Sequence, residues 1–141
     1  MSSILGVGGN ILKDTPYSFR VYKFIKRGYT KTIDIKTPFI PSGGYTNESL
    51  VFNMTLFNEN TNSLAIAHVS FGNYTAAHQG SMISLIGDSS PWSVTKYDSD
   101  GRTHLAITYS SANWISVEIL YAYLSGSNAQ NLQTMYSENF V

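Results

Sequence analysis

The sequence predicts an all-β domain, an antiparallel β-sandwich or jelly-roll-like fold of seven to eight short strands. Three observations point there. Ser, Thr and Asn make up 42 of the 141 residues, and these side chains favour turns and the polar faces of strands over helix interiors. Apolar residues recur with a period of two in several separate runs, the signature of half-buried strands. Turn-forming clusters, Asp100-Gly101 among them, separate those runs at short intervals.

The elements follow in order. Residues 1–15, with Gly6-Val-Gly-Gly-Asn10, read as a flexible arm, and Asp14-Thr-Pro16 punctuates its end. Tyr17, Phe19 and Val21 alternate with Ser18 and Arg20 as a first strand, and Tyr29 to Lys36 is a second, with Ile33 and Ile35 on one face. Pro38, Pro41 and Gly43-Gly44 break the pattern before Leu50, Phe52, Met54 and Leu56 resume it. Asn58 to Asn62 forms a polar turn into a strand from Leu64 to Phe71, so this pair reads as a hairpin. Met82 to Ile86 and Trp92 to Tyr97 are shorter pieces, and Asp100-Gly101 turns the chain into His104 to Tyr109. Ser110 to Asn113 reads as a further turn, followed by the clearest strand, with Ile115, Val117, Ile119, Tyr121 and Tyr123 on one face. The expected organisation is therefore an arm at 1–15, one β domain at 16–126 and a tail at 127–141.

Composition narrows the function classes. Nine basic and nine acidic residues cancel, and only 13% of residues are charged, which argues against electrostatic attraction to nucleic acid or anionic lipid. There is no cysteine, so disulfides, zinc-thiolate sites and cysteine nucleophiles are excluded. No apolar run reaches the length of a membrane-spanning helix, and the opening residues lack the basic and apolar regions of a secretory signal. Charge is nevertheless uneven. Lys13, Arg20, Lys23, Lys26, Arg27, Lys31 and Lys36 outweigh Asp14 and Asp34, giving residues 13–36 a net of +5 against −5 elsewhere. Lysines of this kind protect an edge strand, and opposed patches also suit contact between subunits. Arg20, Lys23, Lys26 and Arg27 are the candidate subunit-interface residues on that ground.

No catalytic constellation is visible. A hydrolase needs a nucleophile with its base, or two carboxylates at a fixed separation, whereas the acids here are few and lie mostly in turns. Asp98 and Asp100 are turn formers; Asp-x-Asp-Gly without a following glutamate is a fragment of a calcium loop. His68, His78 and His104 are too widely spaced for a local metal motif, though one histidine per chain at a three-fold axis would make a three-nitrogen site. No metal or cofactor is expected. Gly6-Val-Gly-Gly lacks the Gly-Lys-Ser/Thr ending of a phosphate loop, and three Asn-x-Ser/Thr matches are the chance yield of an Asn-rich chain. Aromatic residues near expected turns remain. Tyr74, Trp92, Tyr97 and Tyr109, with His78 and Asn113 beside them, are the candidate receptor contacts, because a flat ring with a polar handle stacks on a sugar while amides bind its hydroxyls.

The order of segments carries a family resemblance. Thr32-Ile-Asp-Ile-Lys-Thr37 before a Pro break, Leu50-Val-Phe-Asn-Met-Thr-Leu56, the strand ending in Phe71-Gly-Asn-Tyr74, Asp100-Gly-Arg-Thr-His-Leu-Ala-Ile107 and Ala112-Asn-Trp-Ile-Ser-Val-Glu-Ile119 before Gly126 resemble the distal, receptor-binding domains of tailed-bacteriophage tail fibres. The likeness spans residues 30 to 126, and Thr108-Tyr109 stands where a glycine often follows in that group. The resemblance implies a homotrimeric, non-catalytic adhesin at a fibre tip. Such a domain joins the remainder of the fibre and binds a host cell-surface glycan or outer-membrane protein; it is a virion component assembled in the host bacterial cytoplasm. Asp100, Gly101 and Trp114 match framework positions, so Trp114 is expected in the core. Two other readings accompany it: a structural trimerisation or capping module of a fibre, and a sugar-binding accessory module of a polysaccharide depolymerase.

Overall fold

The computed structural model describes residues 17–41, 48–73, 79–125 and 140–141. The all-β class is borne out: these residues form six strands in one antiparallel sheet and no helix. The strands are β1 (Tyr17–Lys36), β2 (Glu48–Asn58), β3 (Ser63–Asn73), β4 (Gln79–Gly87), β5 (Trp92–Ser99) and β6 (Arg102–Ser125). Neighbours follow the order β1-β6-β2-β3-β4, and β5 pairs with β6.

Two pairs of expected strands are single long strands. The runs beginning at Tyr17 and Tyr29 belong to β1, and those at His104 and Ile115 belong to β6. The turn expected at Ser110 to Asn113 is an irregularity inside β6. From Thr30 to Thr32 β1 advances two residues while β6 advances five, from Thr108 to Asn113, so the extra residues bulge from the ladder. A second shift lies between Val21 and Phe24. The shift beside Thr30 changes which parity of β1 faces the core: Phe24 packs inward before it and Ile33 and Ile35 after it. That switch interrupts the alternation by which a single strand is recognised.

At the same irregularity β6 changes neighbours. Residues 102–109 pair with β5 and residues 115–125 with β2, while β1 accompanies both stretches. The strand also folds there. Lys26 Nζ donates to the Asp34 carbonyl at 2.6 Å, yet eight residues of straight strand extend about 26 Å, beyond the reach of a lysine. The bend between them turns the two parts of the sheet towards each other. Trp92 of β5 accordingly donates its indole N–H to Ser63 Oγ of β3 at 3.2 Å, although β5 and β3 are not neighbours in the sheet.

The buried faces meet in one core, an arrangement consistent with the expected sandwich. One part contributes Ile33, Ile35, Leu105 and Ile107; the other contributes Leu50, Phe52, Met54, Leu56, Val69, Phe71, Ile115, Val117 and Ile119. On β3 the small residues Ala65 and Ala67 point inward, while Leu64 is exposed. Phe39, which follows the end of β1, packs 5.4 Å from Phe71. Thr37 secures that segment by donating both its N–H and its hydroxyl to the Thr103 carbonyl. Phe140, in the segment read as a tail, is buried against Phe52 and Phe24, and Val141 pairs with Lys36 through two backbone hydrogen bonds.

The expected hairpins are present. Asp100 and Gly101 both take positive φ, 54° and 70°, between the paired Ser99 and Arg102, the geometry of a tight two-residue turn. Between β2 and β3, Asn58 Oδ1 accepts the N–H groups of Asn60 and Thr61, and Asn62 closes the turn at φ 58°. Two consequences are measurable by denaturant unfolding. Phe52→Ala, which empties a fully buried ring site, is expected to cost about 3–5 kcal/mol. Gly87→Ala is expected to cost about 1–3 kcal/mol, because φ is +90° and the added Cβ meets the Leu64 carbonyl oxygen at 2.8 Å.

Candidate functional site

The bend in β1, the bulge in β6 and the β2–β3 turn meet at one exposed cluster. Tyr29 and Trp114 are direct cross-strand partners. Ile115, Val117 and Ile119 point into the core, so Trp114, one position out of phase, faces outward. It is 40% exposed and Tyr29 63% exposed, with the rings edge-to-face at 5.8 Å. The Arg27 guanidinium lies 4.7 Å from the Trp114 ring centre, a cation–π contact. Glu59 fixes that guanidinium from the turn, accepting from Nε at 2.5 Å and from Nη2 at 2.7 Å. Its backbone N–H donates to the Trp114 carbonyl at 2.9 Å, and Asn60 Nδ2 donates to Asn113 Oδ1.

The hydrogen bond from Arg27, and to a lesser extent its charge, holds the Glu59 carboxyl below the ordinary carboxylate range, with desolvation opposing. The same bond raises Arg27 further. The result is a pair of exposed rings bordered by amide, guanidinium and carboxylate groups held in place by one another. Such a surface stacks on an apolar ring face and hydrogen-bonds the groups at its edge, with little ordering left to do on binding.

A second polar cluster lies on the stretch of sheet formed by β1, β6 and β5. His104 pairs with Lys36 on one side and Tyr97 on the other. Tyr97 donates its hydroxyl to Asp34 Oδ1, and the His104 ring stacks on Tyr97 at 5.0 Å. His104 Nδ1 lies 3.2 Å from Asp34 Oδ2, and Nε2 lies 3.2 Å from the Ser99 carbonyl. The bond to Asp34 is the main cause that raises the Tyr97 phenol above its ordinary value, with desolvation adding to it.

The expected contact residues divide accordingly. Trp92 and Tyr109 are 5% and 7% exposed and stack edge-to-face at 4.8 Å. They are packing residues: Trp92↔Tyr109 is a register pair at the start of β5, and the Tyr109 hydroxyl is 3.4 Å from Thr61 Oγ1. Tyr97 is exposed, and Asn113 lies in the first cluster. Tyr74 and His78 lie outside the described residues. Of the expected interface residues, Arg20 and Lys23 fall in β1 but their side chains lie outside the description. Lys26 and Arg27 both have partners within the chain, Asp34 and Glu59. Trp114 corrects the expectation of a core residue, and Tyr29 was not anticipated. Among the described residues no three His, Asp or Glu side chains come together as metal ligands.

Three outcomes follow from this geometry. Trp92→Ala is expected to lower unfolding stability by about 3–5 kcal/mol, the mark of a packing residue, as read by thermal or denaturant melts. Because the folded Glu59 carboxyl is depressed, its contribution to stability is present above its unfolded pKa and is lost as pH falls through the folded value; carbon-detected NMR titration compared with Arg27→Met, which abolishes the depression, checks it. Tyr97 behaves oppositely: its contribution is present below the unfolded pKa and is lost as pH rises through the raised folded value. An ultraviolet titration is expected to show a late-ionising phenol that Tyr97→Phe removes.

No family model matches the chain, and no curated protein matches it. Two solved structures are similar to it. One is a tailspike protein, gp49, from Acinetobacter baumannii bacteriophage Fri1, a capsular polysaccharide depolymerase, at 14% identity and a TM-score of 0.44; it covers 79% of this chain and 20% of that one. The other is the tailspike protein of Acinetobacter phage vB_ApiP_P1, at 12% identity and a TM-score of 0.32, covering 79% of this chain and 22% of that one. The chain thus spans about a fifth of the length of either tailspike.

Proposed function

We propose that this chain is a non-catalytic adhesin domain of a bacteriophage tail, which acts as a homotrimer and binds a glycan on the host cell surface. The observation that carries the glycan contact is the exposed Tyr29–Trp114 pair, bordered by the mutually fixed Arg27–Glu59 and Asn60–Asn113 pairs. Solvent-facing aromatic rings are costly to leave uncovered, and polar groups already held in one geometry lose little entropy when a hydroxyl-rich ligand arrives. The virion setting rests on the order of segments from residue 30 to residue 126.

The carboxylate beside the Tyr29–Trp114 pair and the one beside Tyr97 are each held by other groups, which supports binding without hydrolysis. Glu59 is clamped by Arg27, and Asp34 accepts from Tyr97 while facing His104. Glycoside hydrolysis needs one carboxyl free to donate a proton and another free to attack or activate water; these two are each engaged elsewhere.

The test is retention of the purified domain on host cells and on their extracted surface polysaccharide. The double change Tyr29→Ala with Trp114→Ala is expected to lower retention at least about tenfold, the loss of roughly 1.4 kcal/mol, with the fold retained by circular dichroism because neither ring lies in the core. Full retention by the folded double variant would overturn the site. Shortening of the polysaccharide by this chain alone would overturn the non-catalytic reading.

A further inference from the structure

Free strand edges in this sheet are treated unequally. β1 exposes its outer edge with Lys26, Arg27, Lys31 and Lys36 along it, and part of that edge is paired by Val141. β5 carries Lys96 and Asp98. Charges of this kind prevent edge-to-edge association. β4 ends the sheet on the other side, and its sequence, QGSMISLIG, holds no charged residue and no proline.

The face beside that edge is equally uncharged. Register places Val51, Ser70 and Met82 in one row, Asn53, His68 and Ser84 in the next, Thr55, Ile66 and Ile86 in a third, and Phe57 with Leu64 in a fourth. No β2, β3 or β4 position in these rows is Lys, Arg, Asp or Glu; charge begins at Glu118 of β6, the cross-strand partner of Thr55. Met82 is 69% exposed, and Leu64, Ile86 and Val51 are exposed beside it. The paired glycines Gly72 and Gly80 leave a trough of about 470 Å³ next to Val51 and Met82. Glycine at such a position admits close approach by another chain.

We infer that this outer face of β2, β3 and β4, with the β4 edge that no described strand pairs, is where copies of this chain pack against one another. The occupant follows from charge. In a closed symmetric assembly, residues near the axis meet their own counterparts, so any charge there repels itself; a face with no charge in four successive rows is complementary to itself. This inference rests on the oligomeric part of the proposed function and is independent of the glycan contact, which lies on Tyr29 and Trp114.

The test is solution mass by light scattering over a concentration series, together with oxidative cross-linking. The wild-type chain is expected to be oligomeric, and Met82→Lys with Ile86→Lys to be a monomer with an unchanged circular dichroism spectrum. The chain has no cysteine, so Met82→Cys is expected to cross-link to a covalent dimer under mild oxidation while Tyr97→Cys stays single. The cysteine pair decides the matter even if the lysine variant fails to fold. A monomeric wild type, an oligomer that survives both lysines, or Met82→Cys that does not cross-link would overturn the inference. Retention on host polysaccharide by the monomeric lysine variant would leave the glycan contact standing; loss of retention confined to Tyr29→Ala with Trp114→Ala would separate the two surfaces.

Discussion

The pairing of β1 with β6 is the constraint on which the rest of the molecule depends. It is the most extended ladder in the sheet, and β6 offers its second edge first to β5 and then to β2. A straight pair of strands could not do this and bury one core, because both parts would face the same way. The register break beside Thr30 lets β1 fold, brings Lys26 to Asp34, and turns the inner faces together. The Thr30 hydroxyl stabilises the break locally, donating to the Thr32 carbonyl and accepting from the Thr32 N–H.

The same device produces the candidate site. Where a sheet bends sharply its outer residues are spread apart and cannot bury one another, so large side chains at the apex stay in contact with water. Tyr29 and Trp114 occupy that apex, and the β2–β3 turn comes close enough for Glu59 and Asn60 to border them. Structural and functional roles are therefore superposed at one place: Asn113 ends the bulge and also orients Asn60. The aromatic pair Trp92 and Tyr109, of which Tyr109 precedes Trp114 on the same strand, packs inward and joins β5 to the core and to the turn. On β6, Tyr109 and Trp114 thus divide into core and surface by strand parity.

Parity also explains what could be read in advance. The alternation of Ile115, Val117 and Ile119 already placed Trp114 on the outer face; treating it as a framework residue obscured a signal that was there. Tyr29 is different. It shares odd parity with Ile33 and Ile35, so alternation alone would put it inside, and the register break reverses it. Nor could the approach of Asp34, Tyr97 and His104 be foreseen, because it depends on the registers of three strands at once.

Local chemistry was decided by the chain itself. The all-β class, the Asp100-Gly101 turn, the polar turn after Asn58, and the buried alternation on β2 follow from side-chain volume, turn stereochemistry and period, which act over a few residues. What only the tertiary structure decided is longer in range. It joined separate runs into β1 and β6, returned Phe140 to the core, moved Trp92 and Tyr109 inside, and set Arg27 against Glu59 across 32 positions of sequence. The reason is physical: register between strands is fixed by the packing of whole faces, and a single extra residue in one strand reverses every side chain beyond it.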